Sequence, residues 1–239
     1  MMMLMIMLRV IFMSRERKGD PFKRISEIRE PKKVFLLACE GRHTERKYFL
    51  GLKTMREPIQ ILEYIEIQIF QKNNPDISNP LKIFNELKAN IQENGIEANE
   101  VCLIVDRDSK SFTEEQYAIV LKGCQENRFN LYLSNPNFEL WLLFHFLQKK
   151  LSFQEEIKFL SQQGEVAKEL QSYLVNSGFS RATKFNKKIS FSHYADKILN
   201  AIFIAKKHET NIYKLKDNLG TNIYSLLEDI IKVESIIKK

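Results

Sequence analysis

Short apolar runs alternate with amphipathic stretches through the first part of this chain, and no other feature constrains its fold as much. Residues 33–39 (KVFLLAC), 61–70 (ILEYIEIQIF), 100–106 (EVCLIVD) and 129–134 (FNLYLS) have the length and β-branched or aromatic content of buried strands. Thr44–Met55, Pro80–Asn94, Thr113–Glu126 and the stretch from Pro136 to about Gln148 carry helical spacing, and the turn-like KNNPDISNP places Pro80 in a first helical turn. Strands and helices in strict alternation predict an α/β fold: a four-stranded, mainly parallel sheet flanked by helices. Past residue 148 the strand-like runs give way to helical stretches at Leu151–Leu174, His193–His208 and Asn222–Lys238, with Gly178 and Gly220 as breakers. The expected organisation is an N-terminal arm over 1–32, an α/β domain over 33–148 and a mostly α-helical region over 149–239 that packs on the sheet.

Three acids stand where the apolar runs stop. Glu40 follows the first run, and Asp106 and Asp108 end the third. In an open parallel sheet the carboxyl ends share one edge, where such folds place their ligands. Asp106 and Asp108, two apart, project to the same side if the extended backbone continues through Arg107. Carboxylates so placed repel one another unless a cation lies between them. Hard oxygen donors with no nearby cysteine or histidine pair suit Mg²⁺ or Mn²⁺ better than zinc. The plain structural alternative is a solvated strand end opening a loop. A calcium loop beginning at Asp106 is excluded, because Lys110 and Tyr117 occupy positions that need oxygen ligands. The aspartyl-phosphate pattern also fits poorly, since there the paired acids follow the first strand of the domain rather than the third.

Gly41 permits a tight turn after Glu40, and helix capping accounts for Thr44 and for Glu45, but not for Glu40. In SNPNFELWLLFHF, Glu139 complements the dipole of a helix that begins at a strand's carboxyl end, so Asn137 and Glu139 are candidates to face the same cleft. Trp141, Phe144 and Phe146 read as core, and His145 as a hydrogen-bonded interior histidine.

Lys and Arg outnumber Asp and Glu by 37 to 30, a net charge of +7 that favours an anionic partner such as nucleic acid. Arg181, Lys184, Lys187 and Lys188, interleaved with Phe185 and Phe191, offer phosphate contacts beside stacking platforms. A solvated connecting loop explains them equally well. No GxxxxGK[ST] occurs, so the chain carries no P-loop signature. Cys39, Cys102 and Cys124 form no CxxC and read as apolar filler in a reducing, cytoplasmic compartment. The opening MMMLMIMLRVIFM is too short to span a bilayer and lacks a signal peptide's flanks. It is read as an early start codon ahead of Met13, with an interfacial helix as the alternative and no membrane span expected.

The blocks FLLACEGRHTERKYFLGLK, VCLIVDRDS and LYLSNPNFELWLLFHF, in that order, closely resemble the RloB family. The later FNKK and LGTNIYSLLEDI resemble its C-terminal signatures, extending the match from about Lys32 to Glu228. Arg42 and His43 depart from the residues expected after the glycine, and Phe185 replaces a tyrosine, but no presumed metal ligand is lost. The resemblance implies a Toprim-like sheet with Glu40 at the end of the first strand and Asp106 and Asp108 at the end of the third. It further implies a Mg²⁺- or Mn²⁺-dependent nuclease in bacterial anti-phage defence, favouring RNA over DNA, with tRNA as a candidate target, and working with a separate P-loop ATPase. Two other readings use the same residues: a non-catalytic regulatory or nucleic-acid-binding subunit of an ATPase-containing complex, and a nucleotidyl- or phosphotransfer enzyme. Oligomeric state is left open.

Overall fold

The computed structural model describes residues 32–54, 62, 64–74, 77–108, 112–179 and 190–231. The apolar runs pair in parallel, and the order of elements is β1 (Lys33–Cys39), α1 (Thr44–Thr54), β2 (Ile65–Ile69), α2 (Pro80–Asn94), β3 (Glu100–Asp106), α3 (Glu114–Asn127) and β4 (Phe129–Asn135). Then follow α4 (Glu139–Phe144), α5 (Phe153–Ser161), α6 (Glu165–Asn176), two 3₁₀ turns (Phe191–His193 and Ala195–Lys197), α7 (Ile198–Ala205), β5 (Gly220–Thr221) and α8 (Ile223–Ile230). Local chemistry sets several of these boundaries. Asn79 caps α2 ahead of Pro80, and Gly95 ends it in the left-handed region at φ 59°. Thr113 caps α3 by accepting from the Gln116 amide at 3.3 Å.

The sheet has five strands, in the order β2-β1-β3-β4-β5, rather than the four expected. The addition is a two-residue strand antiparallel to β4, with Ser134 opposite Thr221 and their hydroxyls 2.9 Å apart. Gly220, expected only to break a helix, lies in this strand opposite Asn135, and glycine fits there because a Cβ would stand 2.0 Å from the Glu209 carbonyl oxygen. The predicted helix over Leu151–Leu174 is two helices, broken at Gly164, whose φ of 82° suits glycine. The apolar stretch after Pro136 is helical only from Glu139 to Phe144.

Alternation along the strands sends side chains to both faces. Leu36, Ala38, Leu103, Val105 and Leu133 pack under α2 and α3, with Leu215 from the segment before β5. Phe35, Leu37, Cys39, Cys102 and Ile104 pack against α1, α4, α6, α7 and α8. The C-terminal helices therefore complete one face of the sheet core. The three cysteines are buried and free. Among the described residues no helix is long and apolar enough to cross a membrane.

Candidate functional site

From β1 the chain crosses to β2 on one side, while β3 lies on the other, so the gap between the carboxyl ends of β1 and β3 is a topological switch point. Glu40 and Asp106 meet there. The Glu40 amide extends the ladder to the Ile104 carbonyl at 2.9 Å, and its Oε2 accepts the Asp106 amide at 2.8 Å. Asp106 Oδ1 in turn accepts the Phe138 amide at 2.8 Å, which ties β3 to the start of α4.

A further acid belongs to this group. Glu45, 4% exposed in the first turn of α1, turns back so that its Oε1 accepts the Gly41 amide at 2.9 Å. A Cβ on Gly41 would lie 1.8 Å from Glu45 Oε2, so the absent side chain is what lets the carboxylate fold back over the turn. By sequence alone Glu45 reads as a helix-capping residue. The signal that could have separated the two roles is the glycine four residues earlier.

Burial and like charge act together on these groups. Burial, opposed by the Asp106 amide and reinforced by Glu45, pushes Glu40 up to about 8. Burial and then the Glu45, Glu40 and Glu139 carboxylates raise Asp106 well above its ordinary range. Burial raises Glu45 and Glu139, with the Glu139 charge adding to the effect on Glu45. Lys72, which sequence reading did not single out, donates to the Glu40 carbonyl at 2.7 Å, and burial lowers its own pKa.

Asp106, Asp108, Asn137 and Glu139 line one cavity of about 490 Å³, so four of the sequence candidates share a cleft. Glu40 sits beside it, joined through Asp106. The far wall is the α5–α6 turn, and a third side is Lys216 with Asp217. Asn137 Oδ1 is buried without a hydrogen-bond partner. Arg107 is buried and tied elsewhere: its Nε donates to the Lys216 carbonyl at 3.1 Å and a terminal nitrogen to the Phe112 carbonyl at 2.6 Å. It thereby fastens the segment before β5 to the end of β3, helped by Asn135 donating to the Leu215 carbonyl at 2.7 Å and by Tyr117 donating to the Ile212 carbonyl.

Arg181, Lys184, Lys187 and Lys188 lie outside the described residues, as does the N-terminal segment with Met13. His145 is interior: its ring nitrogens meet the Trp141 carbonyl at 3.0 Å and the Tyr48 hydroxyl at 3.2 Å, and burial lowers it to about 3, leaving it neutral. Among the described residues no three His, Cys, Asp or Glu side chains are arranged to hold a metal ion. One oxygen of each of Glu40, Glu45 and Asp106 is instead engaged by a main-chain amide.

Fold and site together define a doubly wound α/β protein with an acidic cleft at its switch point. The sequence matches the family described as RloB-like protein over residues 35–230, and the chain belongs to that family. Comparison with curated proteins and with solved structures returns no match.

Proposed function

We propose that this chain is a divalent-metal-dependent phosphodiesterase that cleaves nucleic acid, RNA in preference to DNA, as a bacterial anti-phage effector partnered by a separate P-loop ATPase. The observation that carries the reading is the cluster of Glu40, Glu45, Asp106 and Glu139, each raised by burial and all but Glu139 also by a neighbouring carboxylate. Such a cluster costs stability, and strongly perturbed acids in a cleft mark functional sites. Glu40 at the end of β1 with Asp106 and Asp108 at the end of β3 is also the placement that a Toprim-like sheet implies.

The donor set fits the cation by type: hard carboxylate oxygens, with the buried Asn137 Oδ1 as a neutral addition. Asp106 and Asp108 would hold it. When bound, a divalent cation supplies polarisation of a phosphoryl oxygen. Glu40, anchored through Oε2, keeps Oε1 to hold or pass a proton near neutral pH. The Asp106 bond to the Phe138 amide keeps the carboxylate aimed and the start of α4 in register with it.

The test is cleavage of a total RNA pool and of a plasmid, with Mn²⁺ or Mg²⁺ and with chelator. Asp106→Ala and Glu40→Ala should each lose at least about 10²-fold in rate while keeping the native far-UV spectrum. Full metal-dependent cleavage by both variants refutes the mechanism. The main-chain amides that already engage one oxygen of each of Glu40, Glu45 and Asp106 favour a second reading, a regulatory subunit of an ATPase-containing complex in which these acids are structural. Protein inert on both nucleic acids yet co-purifying with a P-loop ATPase supports that reading instead.

A further inference from the structure

The carboxyl edge of the sheet carries a second pocket, at the neighbouring gap between β1 and β2. Its volume is about 230 Å³, and its lining joins Cys39, Gly41, Arg42 and Arg46, from the end of β1 and the start of α1, to Gln71 and Lys72 beyond β2. The Phe70 amide extends the parallel ladder by donating to the Leu37 carbonyl at 2.9 Å, which carries the chain on to Gln71 and Lys72 beside the Gly41 turn. The volume lies below the roughly 300–1,000 Å³ of pockets that enclose a drug-sized ligand. It suits a single small group rather than a whole nucleotide.

The charge of this pocket is the reverse of the cleft's. Arg42 is exposed, whereas Arg46 and Lys72 are half-buried, where a cation loses hydration and gains most from an anion. The hydrogen bonds described for these two end on uncharged oxygens. Arg46 Nη2 donates to the Gln71 side-chain carbonyl at 2.5 Å, and Lys72 Nζ donates to the Glu40 and Ile77 carbonyls at 2.7 and 2.5 Å. Such acceptors fix where the cationic groups stand without cancelling their charge, and a guanidinium and an ammonium carry more donors than these bonds use. Glu40 and Glu45 act on Lys72 through space, but each carboxylate is engaged by a main-chain amide, of Asp106 and of Gly41 respectively.

Position gives the pocket its use. Cys39 and Gly41 flank Glu40, whose carboxylate reaches Asp106, so the pocket abuts the acid cluster across one residue of main chain. A phosphate cannot rest on carboxylates without a cation between them, whereas an arginine and a lysine take it directly. We propose that Arg46 and Lys72 form an oxyanion pocket for a phosphate group of the nucleic-acid strand, a neighbour of the phosphodiester on which the acids act. The identity of the strand rests on the phosphodiesterase reading; binding of the phosphate is measured without cleavage.

The experiment titrates inorganic phosphate into the metal-free full chain by calorimetry at constant ionic strength, with chloride as the control. Phosphate should bind saturably and raise the thermal midpoint. Arg46→Gln should weaken that binding at least about tenfold, the loss of one charge-assisted contact, while keeping the wild-type midpoint in chloride, and Arg46→Lys should recover part of it. Lys187→Gln combined with Lys188→Gln, a control for phosphate held by the basic stretch, should bind phosphate as the wild type does. Competition by a 5′-phosphorylated oligonucleotide and by the same strand without that phosphate identifies the source. Displacement by the phosphorylated strand alone supports the pocket as the seat of a strand end, and equal displacement by both supports it as the seat of an internal phosphodiester. No saturable binding, binding unchanged in Arg46→Gln, or displacement by neither strand overturns the proposal. Displacement by a strand that is never cleaved with metal keeps the pocket and refutes the phosphodiesterase reading alone.

Discussion

Strand β3 carries a carboxylate near each end, and the two have opposite fates. At its start, Glu100 lies 2.6 Å from the Lys33 ammonium and accepts from Asn130 at 2.8 Å. Burial pushes Glu100 upward, but those two hydrogen bonds outweigh it and its pKa is lowered. At the other end, Asp106 accepts the Phe138 amide, and burial together with the Glu45, Glu40 and Glu139 carboxylates raises its pKa. The same strand thus supports one neutralised acid and one crowded acid. The difference is in the partners supplied by neighbouring strands and loops, and it separates a carboxylate that serves the fold from one left with unspent charge.

The sharpest way to break this contrast is at Gly41. In Gly41→Ala the new methyl occupies the place of the Glu45 carboxylate, which must swing away. Cleavage should fall by about 10²-fold, as for small misplacements in active sites, with the fold retained. A fully active Gly41→Ala protein would show that Glu45 plays no part in the cluster.

A smaller effect is expected in the pH dependence of stability. Between an ordinary value of 4.5 and the folded value of about 8, folded Glu40 keeps a proton that the unfolded chain has released. Its contribution is therefore fully favourable below the lower value and is lost as the pH rises through the upper one. Metal-free protein should show a falling thermal midpoint from about pH 5 to pH 8, and Glu40→Gln should flatten that slope. Glu100 has the opposite sign: its stabilisation is present above the unfolded value and disappears as pH falls through the lowered folded one. Identical slopes for the wild type and Glu40→Gln would remove the basis of the comparison.

The smallest effect is expected at the neutralised end. Lys33→Ala removes a half-exposed ion pair and should cost about 0–1 kcal/mol by chemical denaturation, with no change in cleavage. A loss of activity in that variant would mean that the two ends of β3 are coupled.

The strands of this fold were legible because their apolar runs are buried on both faces, as seen at β1, β3 and β4. The break between α5 and α6 was not, because Gly164 interrupts an amphipathic stretch with no proline to mark it. β5 escaped because two residues carry no periodicity, and its pairing depends on Ser134 and Thr221, distant in sequence. Among the candidate residues, Glu40, Asp106 and Asp108 were visible as acids ending apolar runs. Glu45 and Lys72 were not, since a first-turn glutamate and a loop lysine look ordinary until the chain folds back on Glu40.

The fastening of the Lys216 segment by Arg107 has a consequence for the order in which the protein is made. β1 to α4 hold every acid of the cluster, yet one side of the cleft arrives with Lys216 and Asp217, and β5 then pairs with β4 while Asn222 binds the Leu131 carbonyl and the Leu133 amide. A nascent chain that has emerged only as far as α4 has its full charge set and an open flank. Ribosomal synthesis therefore builds the acids first and encloses them last.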